Sequence, residues 1–336
     1  MTITTTAPSF EGKGVIGVGP RSYEEPGEGQ LLLRVAANAL CGTDREQYFG
    51  GSAVVPGHEA AGVVHLAGPG TSTAVGTRGV VFLMDYCGVC RSCLIGATNQ
   101  CLAKRADMGF TNDGGYGPYE LIHESNFFPI SDAIEIGNAT MLLDVMGTSS
   151  HAIARAELVR PDIESIYIAG AGPIGLGLLV MAKLRYGDDM PVYISDVSDW
   201  RLENAASFGG IVVDARDTAA ITAIPAPDVV FDSSGKELAR RAGLDILGKR
   251  GVLVCVGHGE GLTLTVSSDL LAPEHAVLGS EYFRYDEMAA NLALLERNQE
   301  LVSRVISHRF PVERIGEAFE LFLSGETGKV IVTQEV

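Results

Sequence analysis

The run SIYIAGAGPIGLGLLVMAKLRYG, residues 165–187, constrains the fold more than any other stretch of the chain. SIYIAG reads as a buried strand, and the apolar segment that ends it reads as a turn and a helix. Between them, Gly170-Ala171-Gly172-Pro173-Ile174-Gly175 fits the pattern G-x-G-x-x-G. Glycines alone would only mark a turn. Here the motif follows a strand, opens a helix, and precedes a second strand, PVYISD, ending in Asp196. An acidic residue about 20 positions on completes a dinucleotide-binding fingerprint. The first glycine permits a tight turn, the second lets backbone approach a pyrophosphate, and the third packs helix on strand. The N–H groups of the helix start, where Pro173 and Ile174 stand, would meet the pyrophosphate charge. Asp196 would accept hydrogen bonds from the adenosine ribose hydroxyls and repel a 2′-phosphate, which favours NAD over NADP. Val197, Ser198 and Asp199 add no positive charge. Arg201 is placed near the adenine or ribose, although a solvated helix face accounts for it equally well.

The same alternation continues downstream. WRLENAASFGG reads as helix, IVVD and DVVFDSSG as strands, LARRAGLDILGKRG as helix and GVLVCVG as strand. Strands alternating with helices predict βαβ units and a parallel, doubly wound sheet. Upstream the pattern differs. Short strands punctuated by Gly and Pro run through LLLRVAANALCG, residues 54–66 and GTRGVVFLM, while the first thirty residues carry little pattern beyond EGKGVIGVGP. A length of 336 residues exceeds what one core usually supports. The division expected is a β-rich domain over 1–137 with an inserted lobe at 85–110, a dinucleotide-binding domain over 138–274, and a return to the first domain over 275–336. Residues 138–158 read as one helix ended by Pro161, a further helix is expected near Met288–Arg297, and GKVIVTQ closes the chain as a strand.

The lobe carries Cys87, Cys90, Cys93 and Cys101, four of the six cysteines. C-x2-C-x2-C-x7-C on a short irregular loop can close a tetrahedral zinc shell with no open position; an iron–sulfur cluster uses similar ligands. Cys255, in an apolar strand, reads as a small buried hydrophobe. The N-terminal residues have neither the basic start nor the apolar core of a secretory signal, and no run of 18 apolar residues predicts a membrane span. A cytoplasmic location is expected. A net charge of −17 disfavours nucleic acid and anionic membrane as partners.

LCGTDREQYFGGSAVVPGHEA, residues 40–60, joins Cys41 to His58 and Glu59. Thiolate and imidazole suit zinc, and two protein ligands leave its shell unfilled. With CGTD at 41–44, GHEAAGVV at 57–64, the four-cysteine lobe, DGGYGPY at 113–119, GAGPIGLG at 170–177 and GKVIV at 329–333, the chain resembles the medium-chain zinc-dependent alcohol and polyol dehydrogenases along nearly its whole length. That resemblance implies a GroES-like β domain and a Rossmann domain, with the active site in a cleft between them. It implies NAD and two zinc ions per chain. The cysteine lobe would hold the structural zinc. Cys41, His58 and Asp144 would hold the catalytic one, with Asp144 standing where other members have a second cysteine and Glu59 as an occasional fourth ligand. Asp144 and Thr148, four residues apart, would share one helix face, with Thr148 against the nicotinamide. Thr43 would take the substrate proton.

Glu46 departs from the family pattern, which often has a relay histidine there; a carboxylate could relay instead or bind a polyhydroxylated substrate. CGTDRE resembles the glucose dehydrogenases of the family. The expectation is an oxidoreductase moving hydride between NAD(H) and a secondary alcohol, a polyol or sugar. The alternatives are an amino-alcohol such as threonine, or a cofactor-binding relative without catalysis. A homodimer or homotetramer follows from the resemblance, with GVLVCVG as the strand that pairs across the two-fold axis. His65, His123, His151, His258, His275 and His308 fit no ligand pattern.

Overall fold

A computed structural model describes residues 2–335. The chain forms two units. The first takes in the sequence up to Leu143, Arg284–Ser324 and the strand from Lys329; the second is Asp144–Phe283 with Gly325–Gly328. Residues 138–143, expected with the second unit, belong to the first, because the turn Ile136–Ala139 packs on the first unit's strands and Met141, Leu142 and Leu143 are fully buried. Residues 275–283 stay with the second unit, because they supply its last strand.

In the first unit, β1 (Ile3–Gly12) and β2 (Val15–Tyr23) form a hairpin closed at Lys13-Gly14, both with positive φ (55° and 80°). The sequence shows little of this hairpin because most of its residues are exposed or half-buried and its apolar side chains are interspersed with Thr, Ser, Gly and Pro without a clear period. The unit's main sheet uses β3 (Gln30–Ala39), β4 (Ala60–Ala67) and β5 (Arg78–Val81). The short pair β6 (Met84–Asp85) and β7 (Ala106–Asp107) frames the cysteine lobe. Next come β8 (Tyr119–His123) and β9 (Phe127–Pro129). β3 is the hub: it pairs antiparallel with β4 and β8 and, at its far end, with the closing strand (Lys329–Thr333). Leu31, Leu33 and Val35 of β3 face Ala60, Val64, Val81 and Ile122 in a dry core.

The second unit is a six-stranded, all-parallel sheet. Its strands are β10 (Ile166–Ala169), β11 (Val192–Asp196), β12 (Ile211–Asp214), β13 (Val229–Asp232), β14 (Val252–Cys255) and β15 (Ala276–Gly279). Their spatial order is β12-β11-β10-β13-β14-β15, the doubly wound order with its switch point between β10 and β13. Ile166, Ile168, Val192, Val229, Val230 and Val252 are essentially inaccessible, as the near-continuous apolar strands of a sheet covered on both faces require. Two strands, β16 (Ile306–Pro311) and β17 (Lys329–Thr333), complete the first unit.

Three expectations are corrected. GVLVCVG, read as the strand free to pair across a two-fold axis, is the internal strand β14; the edge is β15. Cys255 is half-buried, with burial still raising its thiol. Residues 138–158 are not one helix. Ile136–Ala139 is α-helical, Thr140–Leu142 a 3-10 turn, Asp144–Thr148 a π turn, and only Ser149–Glu157 resumes the α-helix. Packing explains the break. A Cβ at Gly147 would lie 2.4 Å from the Phe283 ring, and one at Gly177 would lie 2.4 Å from the Val145 carbonyl. The chain between Asp144 and Thr148 is therefore pressed from two sides, and one wide turn with i→i+5 bonds absorbs the fit.

Candidate metal centres and dinucleotide loop

The four cysteines of the lobe come together. Their sulfur atoms lie within 4.8 Å of one another. The Cys90–Cys93 separation is 3.5 Å, and Cys87–Cys93 and Cys90–Cys101 are both 4.0 Å. A tetrahedron of zinc–sulfur bonds of about 2.3 Å sets sulfurs roughly 3.8 Å apart. Backbone N–H groups are aimed at the sulfurs: Cys90 N at Cys87, Leu102 N at Cys90, and Cys87 N and Ala103 N at Cys101. The N–H groups of Val89 and Cys90 lower the Cys87 thiol, and those of Cys93 and Leu102 bring Cys90 down to about 6. Burial pushes Cys93 up to about 12, reinforced by its bonds to Cys90 and Cys101. Four thiolates need a cation among them, so the donor set fits a metal.

The second centre is built on the end of β3, the turn before β4 and the π turn. Donor atoms of Cys41, His58, Glu59 and Asp144 all lie within 4.8 Å of one another. Asp144 is the residue directly after Leu143, so chain connectivity brings it here. His58, Glu59 and Asp144 are at most 6% exposed. Three acidic groups and an imidazole in so dry a place fit a divalent cation, since buried anions must be compensated.

Three residues that the sequence reading left without a role hold this centre. Asp44 is fully buried on the helix Asp44–Gly50. Its Oδ2 accepts from Cys41 N at 2.9 Å and from the Tyr116 hydroxyl at 2.6 Å, and its Oδ1 lies 3.2 Å from His58 Nδ1. A carboxylate this close to the imidazole is placed to orient the ring. Tyr116 is inaccessible, and burial, then Asp44, holds its hydroxyl well above the ordinary tyrosine range, so it stays a donor. Lys329 of β17 reaches the Glu59 carboxylate. Glu59 thus faces an amine, and its backbone N donates to Asn38 Oδ1 at 3.1 Å. The signals were present in CGTD, DGGYGPY and GKVIV, but the pairings span up to 270 residues, which no local pattern reveals.

Thr43 precedes the same helix, and its hydroxyl is buried with no hydrogen-bond partner among the described residues. Glu46 is exposed on that helix. The Phe110 ring lies 5.0 Å from the His58 ring.

In the second unit the glycine loop behaves as its spacing predicts. Gly170 takes φ +102°, and a Cβ there would lie 2.9 Å from Ser233 Oγ. A Cβ at Gly175 would lie 1.9 Å from the Gly170 carbonyl, so only hydrogen fits. Around Gly172, just before Pro173, the nearest group is the Arg201 guanidinium at 3.7 Å, which leaves its backbone approachable. Asp196 ends β11; Ala171 N and Ser198 N donate to its two oxygens at 2.8 and 3.0 Å. Arg201 Nη1 is 3.6 Å from the Asp196 carboxylate, so a positive charge does stand beside Asp196, contributed by the next helix rather than by its immediate neighbours. Thr148 is buried at the end of the π turn, and the next residue, Ser149, donates to the Ile174 carbonyl at 3.4 Å. Thr148 and the glycine loop are therefore neighbours.

Comparison with known proteins gives a consistent picture. Residues 27–132 match the alcohol dehydrogenase GroES-like domain, and residues 173–297 match the zinc-binding dehydrogenase domain. The chain is 28% identical to an L-threonine 3-dehydrogenase of Coxiella burnetii, over 93% of this chain and 94% of that one. It is 26% identical to a sorbitol dehydrogenase of Halalkalibacterium halodurans, over 96% of each. The crystal structure of L-idonate 5-dehydrogenase from Escherichia coli superposes with a TM-score of 0.86, at 23% identity, over 99% of each chain.

Proposed function

The chain belongs to the zinc-dependent alcohol and polyol dehydrogenase family, an oxidoreductase family acting on CH–OH donors, and from that premise we propose an NAD-dependent dehydrogenase of a secondary alcohol in a polyol or sugar. The observation that carries the reading is the clustered set of half-buried Cys41 with buried His58 and Asp144, and the Thr43 hydroxyl in the same turn region, which has no hydrogen-bond partner among the described residues. Zinc held there supplies a Lewis acid for the substrate hydroxyl, and a nicotinamide beside Thr148 supplies the hydride acceptor.

The chain's own residues do the rest. Asp44, held by Tyr116, orients the His58 ring. Lys329 takes one oxygen of Glu59 and offsets its charge, so that Glu59 would bind the metal more weakly than Asp144. Thr43 accepts the substrate's hydrogen bond and relays its proton, and Glu46, on the exposed side of the same helix, passes it to water or hydrogen-bonds a further substrate hydroxyl. Gly170, Gly172 and Gly175 receive the pyrophosphate at the helix start formed by Pro173 and Ile174. Asp196 takes the adenosine ribose hydroxyls, and its charge is the support for NAD over NADP; Arg201 lies over the same end. The lobe's four cysteines hold the structural zinc.

L-threonine is a second reading, favoured by the identity to threonine dehydrogenases. Assembly into a dimer or tetramer is supported by β15, whose outer edge has no strand partner among the described residues. A cytoplasmic location is supported by two thiolate centres, which a reducing compartment preserves; among the described residues no helix is long and apolar enough to cross a membrane.

The test is NADH formation against a panel of polyols, sugars and L-threonine, before and after chelation. Turnover that survives loss of the Cys41 metal overturns the zinc mechanism. Turnover of L-threonine alone selects the second reading.

A further inference from the structure

The carboxyl ends of β13 and β14 carry a feature the mechanism has not used. Asp232, at the end of β13, is fully buried, and Arg240, on the helix Glu237–Ile246, is 7% exposed. Arg240 Nε donates to Asp232 Oδ2 at 2.6 Å, while its two terminal nitrogens donate to the backbone carbonyls of Gly257 and Glu260. The other Asp232 oxygen accepts from Ser234 N, Ser234 Oγ and Gly235 N at 2.9, 2.6 and 3.1 Å. One ion pair therefore ties together the loop after β13 (233–236) and the loop after β14 (256–261).

The two loops touch backbone to backbone. Glu260 N donates to the Gly235 carbonyl at 2.8 Å. A Cβ on Gly235 would lie 1.9 Å from the His258 carbonyl, and one on Gly259 would lie 2.5 Å from the Gly235 carbonyl. The Glu260 carboxylate accepts from Lys236 Nζ and Glu237 N, both at 2.9 Å, but that clasp is exposed; the buried hold on the contact is the guanidinium fork, which fills three acceptors at once. The bracket also reaches the glycine loop, because Ser233 Oγ donates to the Gly170 carbonyl at 3.0 Å.

Position gives the bracket a role. In an open parallel sheet a dinucleotide lies across the carboxyl ends at the switch point, one nucleotide half on either side. Asp196 on β11 claims the adenosine half, and the pyrophosphate belongs at the helix following β10. The remaining half falls over β13 and β14, where the bracket is. Resting on the NAD reading above, we infer that Arg240 is a positioning residue that holds loop 256–261 in the shape that receives the nicotinamide half of the cofactor. It touches no reacting atom. It acts through the Gly257 and Glu260 carbonyls.

The inference separates the two halves of the cofactor, and so does its test. Binding of NADH and of ADP-ribose, which lacks the nicotinamide, is measured by titration calorimetry on the full zinc-loaded chain, for the wild type, Arg240→Met and Arg240→Lys. If the loop becomes competent only one time in ten, NADH affinity falls about tenfold, while ADP-ribose stays within about twofold. Arg240→Lys keeps a charge opposite Asp232 but loses the fork, and its NADH affinity falls between the other two. Should Arg240→Met fail to fold, the lysine variant carries the same requirement, a loss for NADH greater than that for ADP-ribose. Equal losses for both ligands, or wild-type NADH affinity in a folded variant, overturn the inference. A wild-type protein that binds neither ligand overturns the NAD reading instead.

Discussion

Lys329 and Glu59 form an ion pair between residues 270 positions apart, and neither side chain is more than 1% exposed. Glu59 is also one of the four side chains whose donor atoms cluster at the second metal centre. The pair therefore couples the closing strand β17 to the turn that carries His58. Breaking a buried pair from one side leaves an uncompensated charge, at a cost of about 3–5 kcal/mol. Lys329→Met should lower stability on that scale in denaturant unfolding of the zinc-loaded protein. Lys329→Met combined with Glu59→Gln should cost less than the two single changes added, because no lone charge remains.

On the proposed reading, Asp44 acts on the metal through His58, 3.2 Å away, rather than by ligation. Asp44→Asn keeps the shape but removes the charge facing Nδ1. Zinc affinity at the Cys41 centre should drop about 10–100-fold, read by competition with a chromophoric chelator. Tyr116→Phe should lose less, since it removes one of the donors to Asp44 and leaves the carboxylate in place.

Asp144 is the proposed ligand that would distinguish this centre from an all Cys/His site. Asp144→Ala should release the metal at the Cys41 centre and leave that of the cysteine lobe, so that elemental analysis falls by about one zinc per chain. Asp144→Cys restores a thiolate donor and should restore the count. An alanine variant with its full metal content removes Asp144 from the ligand set.

The proposed preference for NAD rests on Asp196, with Arg201 3.6 Å away. Asp196→Ser removes the repulsion toward a 2′-phosphate and leaves the guanidinium free to meet it. The ratio of NAD to NADP efficiency should fall by roughly tenfold or more, the worth of about one charge-assisted hydrogen bond. An unchanged ratio would mean that the ribose is read elsewhere.

Glu120 sits fully buried on β8 opposite Leu33, and neither carboxylate oxygen has a hydrogen-bond partner among the described residues. Burial, then the nearby Asp113 charge, raises its pKa well above the ordinary 4.5. The folded protein therefore keeps a proton that the unfolded chain releases above that value. Stability from this group is full below the unfolded pKa and declines as pH rises toward the folded one, by up to about 1.4 kcal/mol per unit. Glu120→Gln should flatten that decline and be the more stable form at pH 8 and above, by comparison of unfolding curves at several pH values. A parallel pH dependence in both proteins would place Glu120 in a solvated environment.

Much of the architecture was legible because its signals are local. G-x-G-x-x-G and an aspartate at the next strand end need only adjacent segments, and the steric demand at Gly175 is set by the Gly170 carbonyl within the turn itself, although Ser233 from a later loop adds its own at Gly170. The cysteine lobe is similar, since fourteen residues separate its first ligand from its last and the peptide N–H groups that hold the sulfurs belong to the same loop. The single helix expected over 138–158 failed for a complementary reason: Phe283 presses on Gly147 and the helix after the glycine loop presses on Val145, and neither neighbour is close in sequence.

The sequence by itself determined which chemistries the chain can carry: thiolates and imidazole for zinc, glycines for a phosphate turn, alternating apolar runs for a parallel sheet. Only the tertiary structure decided how those groups are held. It gave Glu59 to Lys329, His58 to an Asp44 that Tyr116 holds, and two glycine-bearing loops to Arg240. A side chain's partner across a fold depends on strand order and register, and the order that brings β17 beside β3 is set by burial of the whole sheet. No spacing in the chain records that order, so the residues that steady the centre became visible only once the strands were in place.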